Sequence, residues 1–225
     1  MKYPIKTSTL LMCGMLLCNA AQATLYDRGG GLIYDSDLNV TWLQDANYAH
    51  TSGYTGAGVY INADYPDYSQ IMHWAAADNW AANLSYYDSV RNVTYTDWRL
   101  PKAFLPHPNS MCNGGNCVET ELGHLWYVEL GNAYTNGSEK IRDPGPFQNT
   151  EYLYWVWTQT TENTVWAWAF NWLSGEQELN QREFVYDTAW AVRDGDVAAV
   201  AIPEPGSLLL LGLGLAGLAA TRRTK

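Results

Sequence analysis

Residues 154–172 read Tyr-Trp-Val-Trp-Thr-Gln-Thr-Thr-Glu-Asn-Thr-Val-Trp-Ala-Trp-Ala-Phe-Asn-Trp. Large rings alternate with smaller residues on both sides of a polar segment, residues 159–163. Because successive side chains of a strand point to opposite faces, this period of two predicts a β-hairpin whose arms each place their rings on one face. Two strands alone are not stable in water, so other parts of the chain must cover the aromatic face.

The N-terminal segment has the pattern of a secretory signal peptide. Two lysines precede an apolar run, residues 10–17, and Ala21-Gln22-Ala23 matches the small-x-small cleavage pattern. We therefore predict that residues 1–23 are removed after export. Lipoprotein processing is the alternative, because Cys13 and Cys18 lie in or beside the apolar run, but a bulky residue precedes each cysteine where that processing requires a small one.

The C-terminal segment, residues 203–225, has three parts. Pro203-Glu204-Pro205 is followed by an apolar run, residues 208–220, and then by a basic tip. The run is short for a transmembrane helix, although tilt or a thin membrane accommodates it, and its repeated glycines argue against a buried helix. In this order the three parts resemble the PEP-CTERM sorting signal. The resemblance implies anchoring in the inner membrane, processing by an exosortase, and transfer to the cell envelope or extracellular matrix.

The region between the two ends is strongly acidic. The ends hold five of the 13 basic residues and one of the 23 acidic residues, so residues 24–202 carry 8 against 22, a net charge of −14. Bulk electrostatics therefore disfavours binding to nucleic acid or anionic glycans. Neutral sugars, cations and basic partners are compatible with this charge.

Cys112 and Cys117 are the cysteines that remain after the predicted processing. An exported protein folds in an oxidising compartment, so we predict a disulfide between them. A metal or redox pair is the alternative, but no histidine stands nearby at ligand spacing.

The remaining pattern predicts an α+β domain over residues 24–202. Short strands are predicted at residues 31–34 and 40–43, helices at residues 71–84 and 120–130, and a last strand at residues 188–193. Long polar segments, including residues 48–68, separate these elements. Loops of such length in a compact domain are usually functional surfaces.

The run Asp35-Ser36-Asp37-Leu38-Asn39 resembles the start of a calcium-binding loop. An EF-hand requires glycine at its sixth position and glutamate at its twelfth, where this chain has Val40 and Ala46. We therefore interpret the run as an Asx-rich turn and predict no metal site.

Seven segments, taken in order, resemble the Lcl C-terminal-like domain, a bacterial domain of largely unknown function that often accompanies PEP-CTERM signals. These segments are residues 32–47, the helix around Trp80, residues 97–101, 121–125, 154–158, 167–170 and 189–193. The resemblance covers residues 25–197. It implies a fold similar to C-type lectins and formylglycine-generating enzymes, in which the N- and C-terminal strands pair below long loops.

The resemblance also bears on function. Some relatives bind glycans, including sulfated ones, but the acidic surface disfavours a sulfated ligand here. The copper-dependent oxidases of this fold use a late cysteine pair, whereas Cys112 and Cys117 precede the second predicted helix. We therefore transfer no catalytic residue and predict no cofactor.

Motifs for catalysis are weak in this sequence. The four histidines, His50, His73, His107 and His124, show no HxxxH or HExxH spacing. Carboxylates are plentiful enough for a pair that hydrolyses glycosides. Because there are so many, the sequence does not identify which two would form it.

Aromatic composition gives the ligand hypothesis. The chain has 11 Trp and 16 Tyr, and carbohydrate-binding modules use exposed rings as stacking platforms. Rings that alternate on a hairpin usually fill the core. The tyrosines of the long polar segment are therefore the predicted ligand contacts: Tyr54, Tyr60, Tyr65 and Tyr68.

We expect a non-catalytic extracytoplasmic protein of the cell envelope or exopolysaccharide matrix that binds carbohydrate or another surface. One alternative is an enzyme acting on matrix polysaccharide, and another is a purely structural matrix protein. A convergent acid pair in a deep cleft would favour the enzyme, and a shallow aromatic surface would favour the binding protein. Loops packed against the domain without a concavity would favour the structural protein.

Overall fold

The computed structural model describes residues 25–60, 70–104, 112–135 and 142–197. Within these residues the regular structure is mostly strand, arranged in four sheets, with three short α-helices. The predicted α+β class is confirmed. The predicted signal peptide and sorting segment both lie outside the described residues.

Twelve strands are present in the described part of the chain. They are β1 Leu25–Asp27, β2 Leu32–Asp35, β3 Val40–Leu43, β4 Val59–Tyr60, β5 Ile71–Met72, β6 Tyr86–Asp88, β7 Val93–Tyr95, β8 Trp98–Arg99, β9 Trp155–Thr161, β10 Trp166–Asn171, β11 Glu176–Gln181 and β12 Val192–Asp194. The helices are α1 Tyr48–Thr51, α2 Trp74–Ala82 and α3 Glu121–His124, with a π-helical turn at Leu125–Glu129 and a 3-10 turn at Thr150–Tyr152.

The largest sheet has the antiparallel order β1-β2-β3-β12-β8. The last strand, β12, therefore lies between β3 and β8, and the predicted pairing of N- and C-terminal strands is confirmed. The strand predicted at residues 188–193 begins later, because Asp187 and Thr188 form isolated bridges with Met72 and Val156.

Charged side chains fix this sheet around β12. Arg99 makes a bidentate pair with the buried Glu121, at 2.8 Å for each oxygen, and also contacts Asp194. Arg193 of β12 pairs with Asp97 at 2.8 Å. These contacts join strands that are far apart in the sequence.

The predicted tryptophan hairpin is confirmed as β9 and β10, and β11 extends it to three strands. The expectation of one aromatic face is wrong. Trp157 pairs with Ala169 and Val156 pairs with Phe170, so the rings of the two arms lie on opposite faces. Both faces are buried, as Val156, Trp157, Ala169 and Phe170 all show 0% exposure.

Aromatic rings connect the two main sheets. Trp190 packs against Trp42, Phe147 and Trp172, with centroids 5.3, 4.9 and 5.1 Å away, and Trp172 packs against Trp126 at 5.0 Å. All five rings are buried. The indole N–H of Trp190 donates to the Leu43 carbonyl at 2.8 Å, so burial of this ring leaves no unpaired donor.

Both predicted helices are present, with different bounds. The first shortens to α2. The second begins where predicted, because the Thr120 hydroxyl accepts a hydrogen bond from the Gly123 N–H at 3.0 Å, but it changes from α to π geometry at Leu125. The Leu130 N–H donates to the Leu125 carbonyl at 3.0 Å and closes the π turn.

Two long segments contain more structure than the sequence predicts. Residues 48–60 contain α1 and β4, and residues 86–95 form the β6–β7 hairpin. The predicted disulfide between Cys112 and Cys117 is present. Asp35 caps its own turn, as its Oδ1 accepts from the Asp37 and Leu38 N–H groups, which confirms the Asx-turn interpretation of this run.

Candidate functional site

Three rings form an exposed surface, which we call the aromatic patch: Tyr60, His73 and Tyr186. The Tyr186 ring lies 5.7 Å from the Tyr60 ring and 4.0 Å from the His73 ring, measured between centroids. Tyr60 is 50% exposed and Tyr186 is 41% exposed. The patch therefore offers apolar ring surface to solvent, in contrast to the buried rings of the hairpin.

A short ribbon of three segments positions the patch. β4 pairs with β5, and the Met72 N–H donates to the Asp187 carbonyl at 2.8 Å. Met72 and Asp187 are both buried. Because neighbouring side chains of extended segments point to opposite faces, His73 and Tyr186 are directed outward.

One contact indicates which ring nitrogen of His73 carries the proton. Its Nδ1 lies 3.3 Å from the Val185 carbonyl oxygen. A carbonyl only accepts hydrogen bonds, so Nδ1 carries the proton in the neutral ring. The other ring nitrogen, Nε2, is then an acceptor.

A cleft of about 300 Å³ adjoins the patch at His73. Its polar lining includes Thr164, Arg182 and Glu183, and Gly58 and the first turn of α2 form its apolar side. Gly58 has φ +78°, and a Cβ there would lie 3.3 Å from the Ala76 Cβ, so glycine allows the chain to approach α2 closely.

Arg182 is held in place beside this cleft. Its guanidinium lies 3.8 Å from the centroid of the Trp74 ring, and the Trp74 indole N–H donates to the Thr158 carbonyl at 2.7 Å. The cation–π contact fixes the planar group without a carboxylate partner at hydrogen-bond distance in the described part of the chain. Its Nη1 donates to the Asn163 and Thr164 carbonyls at 3.4 and 3.5 Å, and its Nε is buried, so the donors that remain for a ligand in the cleft are those of Nη2.

A second cleft, of about 270 Å³, lies at the other end of α2 and includes Tyr54. Tyr48, Asn79 and Asn83 also line it, so it combines phenol rings with neutral amides. Tyr54 is half-buried and packs against the core. Of the predicted ligand contacts, Tyr54 thus lines this second cleft, and Tyr60 belongs to the aromatic patch.

The other predicted ligand contacts are not described, because Tyr65 and Tyr68 lie in the gap between residues 60 and 70. Sequence reasoning missed His73 and Tyr186. The sequence pattern around each of these residues is weak. Each lies beside one buried residue, but the segment is too short to show a sustained alternation of buried and exposed positions. The bridge between Met72 and Asp187 and the hydrogen bond from the Trp74 N–H to the Arg182 carbonyl bring the two segments together.

Carboxyl groups do not converge on either cleft. Glu183 is the one acidic residue among the groups that line these two clefts. Burial raises the pKa of Asp187 to about 7, a hydrogen bond from Asn180 opposes this shift, and the charge of Glu178 adds to it. Asp187 is only 3% exposed and lines neither cleft.

Comparison with protein families bears on the C-terminal end of the chain. Residues 201–223 match the PEP-CTERM protein-sorting motif. The chain therefore carries an exosortase sorting signal. The motif implies an exported protein that is anchored in the membrane before exosortase processes it. A comparison with curated proteins finds no significant match.

The matched residues lie outside the part of the chain that the structure describes. Within the described ranges, no helix has both the length and the apolar character required to cross a membrane.

Proposed function

We propose that the exported domain binds a neutral polysaccharide of the cell envelope or extracellular matrix through the aromatic patch and the adjoining cleft. The observation that carries this proposal is the cluster of Tyr60, Tyr186 and His73 at the surface beside polar groups. Sugar rings present C–H faces that pack on aromatic rings, and their hydroxyls both donate and accept hydrogen bonds. The Nη2 of Arg182 offers donors and Glu183 offers acceptors in the adjoining cleft.

Charge supports a neutral ligand over an acidic one. Residues 24–202 carry a net charge of −14, which repels a polyanion over the range of the Debye length. The alternative of an enzyme has less support, because it needs two convergent carboxyl groups and the clefts have Glu183 alone.

The same proposal includes the domain organisation and the finer fold. We propose a signal peptide at residues 1–23 and a C-type-lectin-like domain related to the Lcl C-terminal-like domain at residues 24–202. The pairing of β12 with β3 supports this fold, since closure by both ends of the domain is what the resemblance implies. The sorting motif supports a final location at the cell surface.

Affinity electrophoresis of the full chain tests the binding proposal. The gels contain dextran, a galactomannan, a β-1,3-glucan or polysaccharide extracted from the matrix of the source, and dextran sulfate serves as the anionic comparison. We expect retardation in at least one neutral gel and none in dextran sulfate. The double variant Tyr60→Ala/Tyr186→Ala should weaken that binding at least tenfold, or by about 1.4 kcal/mol.

Tyr87→Ala is the matched control. Tyr87 is 58% exposed, lies on the β6–β7 hairpin, and donates to Asn92 at 2.8 Å, so its loss removes a similar area of exposed ring away from the patch. Equal loss of binding in both variants would contradict the assigned site. Failure of every neutral gel to retard the protein would favour a purely structural role. Release of reducing ends would favour an enzyme.

A further inference from the structure

We propose that Asp35, His124 and Glu129 form a binding site for a divalent transition metal ion, with Zn²⁺ as the preferred metal. One potential ligand atom from each residue lies within 4.8 Å of the other two. Two carboxylates and an imidazole are a common ligand set for this class of metal. None of the three residues lines the clefts beside α2, so this site is independent of the proposed polysaccharide site.

Asp35 has one buried carboxylate oxygen without a hydrogen-bond partner in the described structure. The residue is fully buried, and its Oδ1 accepts hydrogen bonds from the Asp37 and Leu38 N–H groups at 3.1 and 3.0 Å. Its Oδ2 is buried and has no hydrogen-bond partner in the described structure. The nearby indole N–H of Trp42 also makes no hydrogen bond of normal geometry. A buried carboxylate oxygen without a donor is costly, and a cation would remove that cost.

The π turn brings the other two ligands together. His124 ends α3, and Glu129 ends the π-helical turn five residues later. In a regular α-helix, residues five apart lie about 140° apart around the axis. The i to i+5 spacing of the π turn places them on one side, and such turns are frequent at functional sites.

The distance between two of the proposed ligand atoms fits a tetrahedral ion. The His124 Nε2 lies 3.4 Å from the Glu129 Oε1. With metal–ligand bonds of about 2.0–2.1 Å, a tetrahedral site separates neighbouring ligand atoms by about 3.3–3.5 Å. The Asp37 Oδ2 lies 3.8 Å from the same nitrogen, and this side chain is 48% exposed. Asp37 or a water molecule would therefore complete the site on its solvent side.

Two other interpretations of Asp35, His124 and Glu129 account for fewer of these observations. A protonated His124 between Glu129 and Asp37 would satisfy the imidazole, but it leaves the Asp35 Oδ2 without a donor. Calcium prefers six to eight oxygen ligands, and here an imidazole nitrogen faces the carboxylates. Both readings predict no response to Zn²⁺, so one experiment separates them from the proposal.

The test uses the full chain without a histidine tag, freed of metal by a chelator. Thermal unfolding is then measured with Zn²⁺, Mn²⁺, Ca²⁺ or Mg²⁺. We expect Zn²⁺ to raise Tm by about 5–10 °C at a concentration 100 times its Kd, with little change for Ca²⁺ and Mg²⁺. Co²⁺ bound in place of Zn²⁺ should give the intense visible absorption of a tetrahedral complex.

The variants His124→Gln and Glu129→Gln should lose both the Tm rise and the Co²⁺ absorption. His50→Gln, on α1, is the matched control and should keep both responses. A wild-type protein that shows neither response overturns the proposal, whatever the variants do. A Tm rise with Ca²⁺ but not with Zn²⁺ also overturns it, as does a Zn²⁺ response that His50→Gln abolishes and His124→Gln retains.

Discussion

Two aromatic regions of this protein differ in what surrounds the rings. The Trp190 ring is fully buried, touches three other rings, and donates its N–H to the Leu43 carbonyl. The Tyr60 and Tyr186 rings meet each other at the surface and are about half exposed. The comparison shows that the number of aromatic residues does not indicate their role. The role follows from whether a second layer of chain covers the ring.

The largest expected effect comes from the buried side of this comparison. Trp190→Ala should lower the free energy of unfolding by about 3–5 kcal/mol, because it leaves a cavity between the two main sheets and removes the donor to Leu43. Thermal unfolding followed by circular dichroism measures the change. Trp190→Phe keeps a ring but loses the N–H, so it should cost less. A loss below 1 kcal/mol for Trp190→Ala would show that the two sheets do not depend on this ring.

A smaller, pH-dependent effect is expected at Asp187, which lies directly under the aromatic patch. Its pKa in the folded protein, about 7, exceeds the ordinary aspartate value. The folded state therefore holds the proton more tightly, and this stabilisation is complete below about pH 4 and is lost as pH rises through 7. Asp187→Asn keeps an acceptor for the Asn180 amide and removes the ionisation.

The variant should accordingly gain stability relative to wild type as pH rises from about 4 to about 7, by up to roughly 4 kcal/mol. The measurement is the difference in Tm between variant and wild type at each pH, because other carboxyl groups shift in the opposite direction. The side chains of Asp97 and Asp194 do so, as hydrogen bonds from arginine lower their pKa values. A difference that does not change with pH would contradict the assigned pKa.

The smallest effect on stability belongs to the exposed rings. Tyr60→Ala and Tyr186→Ala should each change the free energy of unfolding by no more than about 0.5 kcal/mol, since both rings already contact solvent. Denaturant titration measures this change alongside the binding test. Losses of 2 kcal/mol or more would show that the patch supports the fold, and the contrast with Trp190 would then disappear.

The sequence predicts the parts of this fold that depend on local pattern. Alternation of rings predicts β9 and β10, and Thr120 predicts the start of α3. The relative direction of the two rows of rings is not local, because the pairing of Trp157 with Ala169 sets it and a bulge between Ala167 and Ala169 shifts the register. The alternation of side chains along one strand does not show which residues of the neighbouring strand lie opposite them.

The candidate sites were harder to predict for the same reason. Tyr60 was predicted from its exposure in a polar segment, but its partners come from β5 and from the segment after β11. His124 and Glu129 stand five residues apart, which is not a ligand spacing for an α-helix, and the π turn that brings them together leaves no clear sequence signal. Long-range contacts explain why the partners of Tyr60 were not predicted, and irregular helix geometry explains why the pairing of His124 with Glu129 was not predicted.

The position of β12 between β3 and β8 has a consequence for how the protein is made. The strands β3 and β8 are both synthesised long before β12, yet each pairs with it. The largest sheet therefore lacks the strand that joins β3 to β8 until the end of the domain has been translated, and folding dominated by such distant pairings is slow. We therefore expect the main sheet to close late, which would leave the chain of an exported protein time to cross the membrane before it folds.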